Sequence, residues 1–355
     1  MKIIKLVNPT ITLISLFLVS IGILIIYSSS PELAFQQALF SLFGLILFFL
    51  VSQVDFRVFL GFIKPAYLLI ILLLFIVFIF GVETRGSLRW IQIGVFNIQP
   101  SEFAKPVLIL LLAYFWSKKP PTIVNIFKSL LWVFPIFFLI FRQPDLGSAL
   151  TIGAIWIGIL FGAKISFKKT AVMLLITLIT IPLSWTFLHD YQKQRIISFI
   201  DPESDPLGRG YNLIQSTIAV GSGQFLGMGL GRGTQSRLQF LPEFRTDFIF
   251  ASMAEELGFL GAALVILLYL SLLIYCLKLA DKMKDPVCYL VILGVVSFIL
   301  FQAFVNIGMN IGLLPITGIT LPLISYGGSS LIATFLSLGL ISSAWKYNKG
   351  INKES

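Results

Sequence analysis

The feature that most constrains this chain is a recurrence. Apolar runs of about twenty residues follow one another from residue 9 to residue 345, separated by short polar stretches. A run of that length is what an α-helix needs to cross a hydrocarbon core of roughly 30 Å. Inside that core every backbone N–H and C=O must find a partner within the protein, which favours helices as the spanning element. Ten such runs are predicted, at about 9–28, 35–54, 63–81, 102–117, 126–141, 147–164, 169–188, 248–278, 286–310 and 325–345. Composition agrees, since 57% of the 355 residues are hydrophobic and only 12% are charged, against roughly 25% charged in an ordinary soluble domain. The expected fold is all-α: a polytopic membrane protein with about ten transmembrane helices, a long extracytoplasmic loop between helices 7 and 8, and a single domain over residues 1–355. The first run follows Lys2 and Lys5 and ends in Tyr-Ser-Ser-Ser with no small-x-small cleavage pattern, so it is expected to stay as a helix.

Charge orients the runs. Lys2, Lys5, Arg57, Lys64, Lys118, Lys119, Lys128, Lys164, Lys278, Lys282 and Lys346 fall on one set of connections. By the positive-inside rule both termini are cytoplasmic and the loop at about 189–247 is outside. The outer connections carry Arg85, Arg89, Arg142, Arg195, Arg209, Arg232, Arg237 and Arg245, with Lys193 the exception. A guanidinium fork grips carboxylate or phosphate through two parallel hydrogen bonds, which points to an anionic ligand on the outer face. Pairing with the loop's own acids, Asp190, Asp201, Glu203 and Asp205, accounts for any single one of these arginines equally well. Two cysteines, Cys276 and Cys288, and one histidine, His189, indicate neither a disulfide framework nor a His-ligated metal nor a Ser-His-Asp triad. The run GMGLGRG at 227–233 lacks a Walker lysine, so no nucleotide cofactor is expected.

Several stretches carry candidate chemistry. Residues 81–106 read as an amphipathic segment in the outer interface, with Trp90 among its apolar residues, leading into a helix for which Ser101 is the expected N-cap. Glu102 and Lys105 lie three apart on one helix face at membrane depth, either a self-neutralising structural pair or groups that touch substrate. Asp145 is expected to cap the helix after it while facing the outer arginines. In the long loop Gln192, Arg195, Arg209 and Gln215 offer hydrogen bonds to sugar hydroxyls or amides. Residues 213–220 read as a helix lying on the membrane, and the glycines of 221–233 as backbone able to approach a ligand. Arg232 stands within that run.

Four acids cluster next: Glu243, Asp247, Glu255 and Glu256. A helix is expected from Leu241, stacking Glu243 on Asp247, with Glu255 within about a quarter turn and Glu256 pointing away. Phe248, Ile249 and Phe250 place Asp247 at the edge of the hydrocarbon, where desolvation raises a carboxyl pKa and makes a better base. An ion pair with Arg245 is the structural alternative. Residues 306–330 have no positive charge and contain Pro315, Gly318, Pro322, Gly327 and Gly328, and read as an outer re-entrant loop that shapes the site.

The segments RGSLRWIQIG at 85–94, QPSEFAK at 99–105, QPDLG at 143–147, GSGQFLGMG at 221–229, LPEFRTDFIFA at 241–251, AEELGFLG at 254–261 and LLPITGITLPLISYGGSS at 313–330 follow one another along the chain. Over essentially its whole length the chain resembles the SEDS family (shape, elongation, division, sporulation), the RodA and FtsW peptidoglycan polymerases. IQSTIAVGSG, GTQSRLQFLPE and NIGMNIGLLPITGI are closer to RodA, whereas GITLPLIS also resembles the division side. The resemblance implies that Asp247 is essential for glycosyl transfer, that Trp90 matters, and that the Glu102–Lys105 pair lines a central cavity. It implies a class B penicillin-binding protein transpeptidase as partner, membrane lipids around the bundle, and no nucleic acid.

The activity implied is that of a peptidoglycan glycosyltransferase, an inverting hexosyltransferase that polymerises lipid II on the outer face of the bacterial cytoplasmic membrane during cell elongation. Asp247 would take the proton from the acceptor 4-hydroxyl as undecaprenyl pyrophosphate leaves. The outer arginines are the pool available to hold that charge, and a divalent cation, Mg or Mn, is able to share the task. Two alternatives compete. A lipid II transporter predicts ionisable pairs through the membrane core and symmetric repeats, and a scaffold that only recruits the transpeptidase leaves the acid and arginine clusters unexplained.

Overall fold

The computed structural model describes residues 7–84, 87–93, 96–166, 168–172, 175, 186, 190–208, 210–238 and 240–354. Its helices are α1 (Pro9–Ser29), α2 (Pro31–Gln53), α3 (Phe56–Gly61), α4 (Ile63–Phe80), α5 (Pro100–Lys118), α6 (Ile123–Arg142) and α7 (Leu146–Gly162) in the first half. The second half holds α8 (Asp190–Ile200), α9 (Tyr211–Ser222), α10 (Thr234–Arg237), α11 (Ile249–Ala280), α12 (Pro286–Asn310) and α13 (Gly328–Glu354). Helix starts follow local chemistry. Asn8, Ser30, Asp145 and Asp285 each accept a hydrogen bond from a backbone N–H of the helix they precede, and α1, α2, α5 and α12 carry proline in the first turn.

Among the described residues, seven helices are long and apolar enough to cross a membrane: α1, α2, α4, α6, α11, α12 and residues 328–349 of α13. Helix α7 is apolar but shorter, at 17 residues, and α5 is interrupted by Glu102 and Lys105. Both are nonetheless packed inside the bundle, so the chain is a multi-pass membrane protein. Most of the expected span at 169–188 falls outside the described residues.

Helix α12 is the axis of the bundle, in contact with α5, α7, α11 and α13, while α2 lies along α13 and α1 along α2 and α11. Lipid supplies no hydrophobic drive between helices, so close van der Waals fit must hold them together. At Gly44 an added Cβ would fall 2.5 Å from the Phe335 ring, and at Gly158 it would fall 1.8 Å from Ser297 Oγ. Those two glycines set how closely α2 approaches α13 and α7 approaches α12.

The connections divide between two ends. One end joins residue 8, residues 54–62, 119–122, 281–285 and the last turns of α13, tied by Ser343 Oγ donating to Val54 O and by Lys284 N donating to Asn348 Oδ1. The other end gathers the Ser28–Ser30 corner, residues 81–99, 143–145, 201–248 and 311–327. Residues 81–99 are not a simple interfacial stretch: they include an antiparallel sheet in the order β1 (Val82–Thr84), β2 (Ser87–Ile93), β3 (Phe96–Ile98), with Val82 opposite Trp90 and Ile91 opposite Ile98.

Three local expectations are corrected. Ser101 is not the cap of α5: Gln99 holds that place, Pro100 is already helical, and proline's fixed φ suits the first turn. Helix α9 packs its Leu213, Ser216 and Ala219 face against the bundle, where these side chains are buried. Residues 241–248 are turns rather than helix, with Glu243 in left-handed conformation (φ 55°), so Glu243 does not stack on Asp247.

Helix α11 is broken at Gly258, whose φ of 66° and ψ of −165° are reachable in practice only by glycine. The glycine-rich loop seats against this break. Phe259 N donates to Gln224 O at 2.9 Å, and Met228 N and Gly229 N donate to the carbonyls of Glu255 and Glu256 at 2.9 and 3.0 Å. Gly223 and Gly227 are needed for that packing, since a Cβ on either would lie 1.9–2.2 Å from backbone oxygens of α11. The glycines therefore serve backbone-to-backbone contact rather than ligand approach. A Gly258→Ala substitution combines a disallowed conformation with a 2.3 Å contact to Gly227 N. It should cost about 2 kcal/mol or more, read as a lowered thermal midpoint in detergent. Gly153→Ala in α7, with nothing within 4 Å of the new Cβ, should leave the midpoint unchanged or raise it.

Candidate functional site

Asp247 sits in the turn ahead of α11, half-buried, with its backbone held from α12. Its carbonyl accepts Asn306 Nδ2 at 2.8 Å and Asn310 Nδ2 at 3.0 Å. Its carboxylate faces the loop at 311–327. A methyl placed on Gly318 (φ 74°) would lie 3.6 Å from Asp247 Oδ2 and 3.9 Å from Arg195 Nη1, so an acid from the start of α11 and a guanidinium from α8 meet over the same glycine. The next nine residues, 248–256, are buried in protein, so Phe248, Ile249 and Phe250 pack against neighbours rather than facing lipid.

The loop at 311–327 is fastened on every side. Asn306 Nδ2 also donates to Ile319 O at 2.7 Å, Ser325 Oγ donates to Thr246 O at 2.6 Å, and Tyr326 N donates to Arg245 O at 2.9 Å. Gln37 Nε2 from α2 donates to Ser325 O at 3.0 Å. Ile319 and Thr317 close over Gly147 at the start of α7. A proline- and glycine-rich segment at this depth is thus held by side chains of α2 and α12 and by backbone of the 245–246 turn, as irregular backbone in a membrane protein requires.

The other acids are committed to the fold. Glu255, fully buried, accepts Gln235 N at 2.8 Å, Ser236 N at 3.1 Å and Ser236 Oγ at 2.9 Å, which makes it the cap of the α10 turn. Glu256 accepts Ser28 Oγ at 2.7 Å. Glu243 Oε2 accepts Thr246 Oγ1 at 3.0 Å within its own turn. Asp145 does cap α7, through Ser148 N at 3.1 Å, and also takes Gln99 Nε2 at 3.0 Å and Arg89 at 3.8 Å. Arg89 further donates to the carbonyls of Gln143 and Pro144, so these two residues form a corner that ties β2 to the α6–α7 turn.

Arg245 reaches back to Ser29, with Nε donating to its Oγ at 2.9 Å, and lies over the Phe244 ring. Burial lowers the pKa of this guanidinium, and Glu243 opposes the shift. Arg232 is exposed and Gln215 half-buried. Trp90 is half-buried in β2. Arg85, Arg209 and the side chain of Gln192 lie outside the described residues. Lys105 Nζ bonds Glu102 Oε1 at 2.7 Å, with Lys105 fully buried and 5.2 Å from the Phe298 ring. Among the described residues no three His, Cys, Asp or Glu side chains are placed to hold a metal. A cavity of about 220 Å³ between α11 and α12, lined by Ile266, Leu270, Leu300, Phe304 and their neighbours, is almost wholly apolar and fits hydrocarbon only.

What sequence reasoning missed here is the role of Asn306 and Asn310. The signal was present: two asparagines four apart on one face of an otherwise apolar helix.

The candidate site thus joins an acid and an arginine at a left-handed glycine (φ 74°) of the 311–327 loop, and comparisons with known proteins match the chain over nearly its whole length. A family model described as the FtsW/RodA/SpoVE cell cycle proteins matches residues 2–350. The chain belongs to that family. Among its FtsW/RodA/SpoVE relatives is the peptidoglycan glycosyltransferase MrdB of Escherichia coli (strain K12), 38% identical over 352 residues, covering 98% of this chain and 95% of that protein. Two solved family structures superpose over 96% of this chain. One is the rod shape determining protein RodA of Thermus thermophilus, 28% identical, TM-score 0.74, with 97% of that chain covered. The other belongs to a study of polymerization and crosslinking by a peptidoglycan synthase complex, 32% identical, TM-score 0.83, with 97% of that chain covered.

The distinction between a site acid and a fold acid is open to measurement. Glu255→Ala leaves the buried Ser236 N–H and the half-buried Gln235 N–H without their acceptor and should cost about 2 kcal/mol, seen as a lower thermal midpoint and faster proteolysis at 223–238. Asp247→Asn keeps the backbone carbonyl that α12 holds and should leave both readouts near wild type.

Proposed function

We propose that this protein is a peptidoglycan glycosyltransferase that polymerises lipid II into glycan strands during cell elongation, with Asp247 as the catalytic base. The observation that carries the reading is the meeting of the Asp247 carboxylate and the Arg195 guanidinium over Gly318, in a chain whose FtsW/RodA/SpoVE relatives include a peptidoglycan glycosyltransferase. Asp247 accepts the proton of the acceptor 4-hydroxyl as that oxygen attacks the anomeric carbon of the lipid-linked donor. The donor's bond to undecaprenyl pyrophosphate breaks with inversion. Arg195, whose guanidinium comes to Gly318 beside that acid, is the cation for the developing pyrophosphate charge, because electrostatic stabilisation must act where charge appears. Arg232 and the arginines at 85 and 209 are further members of the pool, with Trp90, Gln192 and Gln215 as substrate contacts. Arg89, Asp145, Glu243 and Arg245 support the site through the contacts described above.

The active site faces the outside and both termini face the cytoplasm. This orientation rests on lysine: Lys118, Lys119, Lys278, Lys282, Lys284 and Lys346 sit at the end opposite Asp247. A divalent cation, Mg or Mn, would be held largely by pyrophosphate oxygens, since among the described residues no three acids, histidines or cysteines come together to form a cage. A class B penicillin-binding transpeptidase is the expected partner, in keeping with the synthase complex among the structural relatives.

One observation favours a second reading, a lipid II transporter. The Glu102–Lys105 pair is an ionisable pair buried at membrane depth. Its closed 2.7 Å contact supports a structural role instead.

Purified protein with its transpeptidase partner should convert lipid II into glycan ladders. Asp247→Ala and Asp247→Asn should each lose at least a hundredfold in rate while keeping the wild-type thermal midpoint. Ladders of undiminished yield from both variants would return the base assignment to Glu243. Arg195→Ala should lower kcat more than it raises KM for lipid II, because the charge it meets is larger in the transition state.

A further inference from the structure

Asn306 and Asn310 stand one turn apart on α12, and both are fully buried. Each spends its amide on the backbone of Asp247. Asn306 Nδ2 divides its two hydrogens between Asp247 O and Ile319 O, the carbonyl of the residue after Gly318. One side chain therefore fixes the distance between the backbone that carries the acid and the backbone that the acid faces. Asn310 adds a second bond to Asp247 O, while its Oδ1 accepts Ala251 N at 3.0 Å and so caps the start of α11 from a neighbouring helix. Ser216 Oγ of α9 donates to Asn310 O at 2.8 Å, which links the outer helix to the same clamp.

The chemistry of these bonds is unusual for a merely structural contact. A buried carbonyl needs one donor to be satisfied, and a side-chain–backbone bond from either asparagine would suffice. The Asp247 carbonyl receives two, and one of the two donors is shared with the loop opposite. The redundancy acts on orientation: two bonds from groups one turn apart restrict rotation of the Asp247 peptide plane, and with it the direction in which the Cα–Cβ bond points. A base must lie within about 2.6–3.2 Å of the proton it takes, and a displacement of about 1 Å can cost a hundredfold in rate.

We propose that Asn306, supported by Asn310, is a positioning residue for the glycosyl transfer: it holds the Asp247 carboxylate in register with Gly318 by bridging Asp247 O and Ile319 O. This inference rests on the reading of Asp247 as the base. Neither asparagine touches substrate in this arrangement; both act through Asp247.

The test compares kcat and KM for lipid II, per folded molecule, in protein paired with its transpeptidase. Asn306→Leu keeps the branched shape of the side chain and removes the donor. It should lower kcat at least tenfold with KM changed by less than about twofold, the pattern of an interaction used in the transition state. Ser129→Ala, which removes the buried bond from Trp156 Nε1 on the far side of the bundle, serves as a purely structural reference and should lower the thermal midpoint with kcat intact. In an Asp247→Asn background, adding Asn306→Leu should lower the residual rate no further, since groups that act as a unit are not additive. Wild-type kcat in Asn306→Leu, with only the midpoint lowered, overturns the positioning role. Should Asn306→Leu not fold, Asn306→Ser retains a shorter donor and is expected to lose kcat to an intermediate degree; full kcat in that folded variant overturns the proposal equally. If Asp247→Asn alone keeps the wild-type rate, the base assignment falls first and takes this inference with it. An inactive Asp247→Asn beside a fully active Asn306→Leu defeats the positioning role alone.

Discussion

The structure turns on a backbone carbonyl that ought to be expensive. Asp247 O lies in the turn just ahead of the buried stretch 248–256, where an unmade hydrogen bond would cost the desolvation of the group. The amides of Asn306 and Asn310 meet that need from α12, the helix about which the others pack. Because α12 is also the element to which the loop at 311–327 is joined, the acid, the loop and the start of α11 share one rigid reference. The polar chemistry at this end of the bundle is an extension of helix packing.

That arrangement separates residues that composition groups together. Four acids occur within fourteen positions, and three of them answer to local backbone or hydroxyl donors: Glu243 to its own turn, Glu255 to the α10 turn, Glu256 to Ser28. Asp247 alone of the four has its carboxylate over Gly318. The arginines divide in the same manner. Arg89 and Arg245 bind carbonyls and hydroxyls that brace corners, whereas Arg195 approaches the acid.

Much of this was legible in the sequence, because the bilayer is a strict solvent. Run length located the spanning helices among the described residues, Pro100 marked the start of α5, and the cap at Asp145 was foreseen and found. The break at Gly258 was not legible, since glycine inside an apolar run is common in membrane helices and only the φ of 66° reveals its purpose. The sheet at 82–98 was missed because strands this short, at an interface, have alternation too brief to separate from an amphipathic segment. Helical stacking of Glu243 on Asp247 failed for a related reason: spacing of four residues speaks only if the backbone between is helical, and Pro242 with left-handed Glu243 prevents it. The asparagine clamp joins segments 59 residues apart or more, a distance over which no local pattern speaks.

The seat of the glycine-rich loop on α11 has a mechanical consequence. Where the helix breaks, the carbonyls of Glu255 and Glu256 and the N–H of Phe259 would otherwise face a medium that offers no partner, and the loop completes them as an extra strand would. Lifting the loop would expose several such groups together, at several kcal/mol in hydrocarbon. This side of the site therefore behaves as a fixed wall, joined backbone to backbone and unable to yield by the turning of a side chain.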